Sequence, residues 1–212
     1  MFAAVVFTLA AASMASAHFA LDYPTWRADT LENTSYSQWE YPCGGVPYGV
    51  GNRTDWAIGG GSLSLDLHHP WSYLYVNLGL GENVTNFNVS LTPSLTNVTG
   101  NGTFCIPQLL IPVSISDGQS ATIQVVTSGA SGAAMYNCAD ITFRYDAQLL
   151  SGDDCTNSTG VSAAIVDQSP TTSQSASTPT PTGSAAGAVN TGGVALLGAL
   201  SFAGASMMGL VL

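Results

Sequence analysis

Apolar and polar residues alternate strictly along Ser62-Leu63-Ser64-Leu65-Asp66-Leu67, the two-residue period of a strand buried on one face. Tyr73 to Leu80 predicts a second strand, aromatic and β-branched, punctuated by Gly79-Leu80-Gly81. Alternation returns over Asn86 to Leu91. Ile111 to Ile115 and Ala121 to Val126 predict two more strands, separated by the turn signal Asp117-Gly118. Asp140 to Tyr145 closes the series, with Ile141, Phe143 and Tyr145 expected on the core face and Asp140, Thr142 and Arg144 opposite. No stretch holds the helical period for about ten residues, and turn clusters recur at the spacing of short strands. The fold class is therefore all-β, an antiparallel β-sandwich. Tyr23 to Ile58, rich in Trp, Tyr, Gly and Pro, reads as a long irregular excursion from the first strand, of a length that is usually functional or disulfide-pinned.

The two ends of the chain have a different texture. Residues 1–17 carry the apolar run Phe2 to Ala10 and end in Ala15-Ser16-Ala17, the pattern of a secretory signal peptide, though without a positively charged start. Cleavage there makes His18 the mature N-terminus. Residues 158–187 include the Ser/Thr/Pro tract Ser169 to Thr182, too polar to bury a core and of the O-glycosylated stalk type. Residues 188–212 end in an uncharged apolar tail preceded by small residues, the GPI-attachment pattern, with Ser184, Gly187 and Asn190 as candidate attachment residues. A single transmembrane helix is the rival reading of that tail. One globular domain, residues 18–157, remains.

The formal charge of −10, with three arginines and no lysine, excludes nucleic acid as a partner, since phosphate binding needs clustered cations. Sequons at Asn33, Asn52, Asn83, Asn88, Asn97, Asn101 and Asn157 point to the secretory route and a glycosylated surface protein. In that compartment Cys43, Cys105, Cys138 and Cys155 read as two disulfides. Four cysteines allow three pairings. Cys43 with Cys155, tying the domain's ends, and Cys105 with Cys138 are favoured as joins between neighbouring strands. No C-x-x-C spacing suggests zinc.

The chemistry concentrates on the three histidines, His18, His68 and His69. A terminal histidine offers its α-amine and its imidazole to one metal ion, and another imidazole completes a three-nitrogen brace. Copper(II) favours tetragonal nitrogen sites. His68 and His69 end an alternating strand, near a sandwich edge that an N-terminal residue can reach, but Pro70 interrupts the period, so alternation does not choose between them. Asp140, two residues past Cys138, is the candidate additional ligand. No G-x-S-x-G, H-E-x-x-H or phosphate loop occurs. Trp26, Trp39, Trp56 and Trp71 are candidates for a carbohydrate-stacking platform or for core filling.

His18-Phe19, Trp39-Glu40-Tyr41-Pro42-Cys43-Gly44-Gly45, His68-His69-Pro70 with Val76-Asn77-Leu78-Gly79-Leu80-Gly81, and Asn137-Cys138-Ala139-Asp140 together resemble the fungal copper acquisition factors, GPI-anchored relatives of lytic polysaccharide monooxygenases. The resemblance covers His18 to about Cys155. It implies an immunoglobulin-like sandwich holding one copper ion through His18, His69 (or His68) and Asp140, at the extracellular face of the plasma membrane or in the cell wall. The expected partners are the copper ion, the membrane through the anchor, and a membrane copper transporter. The implied role is copper uptake or homeostasis without enzymatic turnover. An oxidase of the monooxygenase type acting on a cell-wall polysaccharide, and a metal-free wall mannoprotein, are the alternatives.

Overall fold

The Ser62–Leu67 alternation forms the central strand of a three-stranded sheet, and the aromatic run after Pro70 forms an interior strand of a larger one. The computed structural model describes residues 18–167; the expected signal peptide and anchor signal, and most of the expected stalk, lie outside them. Along the described residues the order is β1 (Phe19–Tyr23), β2 (Thr54–Ala57), β3 (Gly61–Leu67), β4 (Trp71–Leu80), β5 (Val89–Ser90), β6 (Thr96–Thr99), β7 (Gly102–Leu109), β8 (Ser120–Ser128), β9 (Ala134–Arg144), a 3-10 turn at Gly152–Cys155, and β10 (Ser162–Ile165). The smaller sheet runs β1-β3-β7. The larger runs β10-β6-β4-β8-β9-β2, with β5 beside β4. Pairing is antiparallel except for β2, which lies parallel to β9.

Leu63, Leu65 and Leu67 of the small sheet meet Leu74, Val76, Leu78, Ile123, Val125, Ile141 and Phe143 of the large one in a single apolar core. Each such buried side chain contributes roughly 1.5–3 kcal/mol, so the alternation fixes both register and facing. Trp56 fills the core against Phe143, at 5.9 Å between ring centroids.

Several expectations are corrected. Ile111 to Ile115 is not a strand, because Pro112 within it can donate no ladder hydrogen bond. Asn86 to Leu91 contributes only β5. Tyr145 is 77% exposed instead of facing the core, since β9 ends at Arg144. Ser162–Ile165, assigned to the stalk, pairs with Thr96–Thr99 as β10, so the sandwich extends past residue 157.

The disulfides join Cys43 to Cys138 and Cys105 to Cys155, against the favoured pairing. The two-residue period supplies the reason. Cys105 pairs with Ser64 on the outer face of the small sheet, while its neighbour Phe104 points into the core. Cys138 likewise lies outside the core residue Ala139 on β9. Cys105 and Cys138 thus face away from each other with the core between them. Each instead pins an overlying segment to a strand. The Cys43 bond fastens the Tyr23–Ile58 excursion over β9.

Gly44 lets that excursion approach closely. Its φ is +67°, and a Cβ there would stand 2.9 Å from the Tyr136 carbonyl oxygen.

Candidate metal centre

Phe19 pairs with Leu67, and the His68 N–H donates to the His18 carbonyl at 3.1 Å, so the β1–β3 ladder continues one residue further, to His18. His18 therefore sits beside the turn His68-His69-Pro70 that leads into β4. The two neighbouring histidines of the turn have opposite fates. His68 is half-exposed and places Nε2 3.0 Å from Asp66 Oδ2. His69 is 3% exposed, and neither Nδ1 nor Nε2 has a hydrogen-bond partner.

Two buried, unsatisfied ring nitrogens carry a desolvation cost that native structures seldom accept without a purpose. Burial lowers the His69 pKa below 6.5, the His18 backbone beside the ring opposes the shift, and the nearby His68 and His18 imidazoles add to it. His18 is likewise lowered, first by burial and then by His68. Both imidazoles are consequently neutral near pH 7, the form that ligates a metal. The edge of the His18 ring meets the Trp39 ring at 6.1 Å between centroids and 76° between planes. Trp39 itself is 44% exposed.

The structure brings His18 and His69 together and leaves Asp140 elsewhere. Along β9, Asn137, Ala139 and Ile141 point toward the small sheet, and Asn137 Nδ2 donates to the Phe19 carbonyl at 3.1 Å. Asp140 points the other way, under the Tyr23–Ile58 excursion. There it accepts from Arg27 Nε (3.0 Å) and Nη2 (2.9 Å) and from Thr122 Oγ1 (2.6 Å), and is 2% exposed. All of this belongs to a structural ion pair, so the expected aspartate ligand is withdrawn. Among the described residues, no three His, Cys, Asp or Glu side chains are arranged to hold a metal. A brace needs only two imidazoles, its third nitrogen being the α-amine of a cleaved His18. That donor set is all nitrogen, which fits copper(II).

A profile of the copper acquisition factor BIM1-like domain matches residues 16–160 and so takes in both histidines of the site. The chain belongs to this BIM1-like family. It is 32% identical to the lytic polysaccharide monooxygenase-like protein X325 of Aspergillus fumigatus over 193 residues, covering 75% of this chain and 80% of the relative. It is 36% identical to the monooxygenase-like protein ham-7 of Neurospora crassa, covering 77% and 82%. To the copper acquisition factor BIM1 of Cryptococcus neoformans var. grubii it is 29% identical, covering 68% of each. Membership of the BIM1-like family carries a copper-related function.

Sequence reasoning missed the polar residues that hold β1 from its open side, Gln38, Thr30 and Asn137. Gln38 lies in an aperiodic loop, where no pattern marks a buried side chain. Trp39 was visible as an aromatic, but its contact with His18 was not.

Proposed function

We propose that this chain captures copper(II) at the outer surface of a fungal cell, through the α-amine and imidazole of His18 and the imidazole of His69, for uptake rather than turnover. The observation that carries the reading is the buried His69 ring beside His18 with both nitrogens unpartnered. His69 is preferred over His68 because the His68 ring is already engaged with Asp66 at the surface. Asp22 and Asp66 lie near His68 and add negative charge beside the site; Asp22 is raised by burial and by Asp66, with His68 opposing. Such a field favours a cation's approach.

The choice of acquisition over catalysis draws on the relatives named copper acquisition factors. The sequon at Asn101 supports the same choice: it follows Gly100, whose N–H donates to the Pro70 carbonyl next to His69, so a glycan there would stand beside the site and hinder a flat polymer.

The oxidase reading draws on the monooxygenase-like names of other relatives and on the exposed Trp39 beside His18. Copper titration of the domain starting at His18, set against His69→Ala, tests capture. Incubation of the copper-loaded domain with reductant, peroxide and chitin, cellulose or glucan tests turnover. Tight binding abolished by His69→Ala, with no oxidised oligosaccharides, is expected; copper- and His18-dependent oligosaccharides would establish an oxidase instead. Surface attachment through a GPI anchor, with delivery to a membrane copper transporter, completes the proposal. Phospholipase release of the full-length protein from cells tests the anchor, and retention of the tail peptide after that treatment would favour a membrane span.

A further inference from the structure

β1 is the edge strand of the small sheet, with β3 on one side only. Because His18 accepts from His68 on the β3 side, the N–H and C=O of the next residue, Phe19, point away from β3. A buried edge strand would leave these two groups without partners, which is costly. Gln38 supplies both. Its Oε1 accepts from the Phe19 N–H at 3.2 Å, and its Nε2 donates to the Phe19 C=O at 2.8 Å. A primary carboxamide carries a donor and an acceptor side by side, as a peptide does. The single side chain therefore replaces one rung of a missing neighbour strand.

The amide cannot turn over, because its surroundings are closed. Asn137 Nδ2 donates to the same Phe19 carbonyl, Gln38 Nε2 also donates to Thr30 Oγ1 at 2.9 Å, and Thr30 Oγ1 donates to Asn137 Oδ1 at 2.8 Å. Gln38 and Asn137 are each 1% exposed. The loop bearing Gln38 is itself tied down, since the Tyr136 N–H donates to the Gln38 carbonyl at 2.7 Å and Cys43 is bonded to Cys138. The following residue, Trp39, meets the His18 ring. Two consecutive residues of one loop thus touch the backbone just after His18 and the ring of His18.

From this geometry we infer that Gln38 is a positioning residue for the terminal histidine: by clamping the Phe19 peptide from the open edge of β1, it holds the His18 amine and imidazole facing His69. The inference rests on the reading of His18 and His69 as copper ligands. Chain termini fray unless tied down, and an amine that frays spends little of its time in reach of a metal shared with His69. A merely structural hydrogen bond would act on stability alone. A positioning residue also acts on the coordination geometry.

The test uses the domain starting at His18 and the variant Gln38→Met, which keeps length and apolar bulk and loses both bonds to Phe19. Amide hydrogen exchange in the metal-free protein reads the clamp, with Ala20, facing β3, as the internal control. Copper(II) titration and the electron paramagnetic resonance spectrum read the coordination. Exchange at Phe19 is expected to accelerate at least tenfold while Ala20 is little changed, the copper spectrum to alter, and affinity to fall at least tenfold. Should Gln38→Met not fold, Gln38→Glu carries the test, since it keeps the acceptor for the Phe19 N–H and loses only the donor. Unchanged exchange at Phe19 would overturn the clamp. Faster exchange with an unaltered copper spectrum and affinity would overturn the positioning role and leave the ligand assignment standing. Failure of the unmodified domain to bind copper would overturn the ligand assignment and the inference with it.

Discussion

Arg27 grips Asp140 with two hydrogen bonds, Nε to Oδ2 at 3.0 Å and Nη2 to Oδ1 at 2.9 Å, beneath the loop that Cys43 fastens to β9. Both side chains are buried, so neither charge has water to fall back on. Removing one partner of such a pair strands the other, at about 3–5 kcal/mol. Asp140→Ala is therefore expected to lower unfolding stability by that order in denaturant titration, and to leave the copper affinity of the folded protein unchanged. A tenfold loss of copper affinity without a stability loss would restore the carboxylate as a ligand.

His69 predicts the opposite pattern. Its two unpartnered ring nitrogens cost the metal-free fold roughly 1–3 kcal/mol of desolvation. His69→Phe keeps a ring of similar shape and removes both nitrogens. The metal-free variant should be as stable as the parent or more so by thermal melting, and should bind copper no better than a surface histidine would. Marked destabilisation would show that the ring nitrogens have partners in solution.

The same residue sets a pH dependence. Burial holds the His69 pKa below 6.5, so between its folded value and 6.5 the unfolded chain binds more protons than the native one. The contribution to stability is complete above about pH 6.5 and is lost as the pH falls toward the folded value. Urea midpoints of the metal-free domain should drop as the pH falls below about 7. The drop should be smaller in His69→Phe, and an equal drop in both proteins would assign the effect to other groups.

The two disulfides should separate in their effects. They close loops with sequence separations of 95 and 50 residues, and loss of either is expected to cost about 2–5 kcal/mol. Only Cys43–Cys138 secures the loop that carries Gln38 and Trp39. Replacing Cys43 and Cys138 by Ala should weaken copper binding as well as stability, whereas replacing Cys105 and Cys155 should affect stability alone. Non-reducing peptide mapping of the parent checks the pairing directly.

What the sequence made legible follows from the range of the signals involved. Leu63, Leu65 and Leu67 declared their facing through a period that needs only six neighbouring residues to read. The pair of candidate ligands was legible for a similar reason: His18 follows the expected cleavage motif Ala15-Ser16-Ala17, and His69 stands just past the end of that same strand. Asp140 was misjudged because a period says which face a side chain takes and nothing about what covers the face. Its partner Arg27 is 113 residues away in the chain. The cysteine pairing failed on the same ground, since facing for Cys105 and Cys138 required strands, β7 and the first half of β9, that interleaved polar residues and Pro107 had hidden. Gln38 belongs to a loop without period, and its pairing with Phe19 is visible only in three dimensions.

The most direct measurement is a copper(II) titration of the domain beginning at His18 beside one carrying a single extra residue before it. The extension turns the α-amine into an amide, removes one nitrogen of the brace and leaves every other contact of the fold in place. Affinity is predicted to fall more than tenfold, about 1.4 kcal/mol or more. Equal affinity in the two proteins would contradict a copper site built on the terminal histidine.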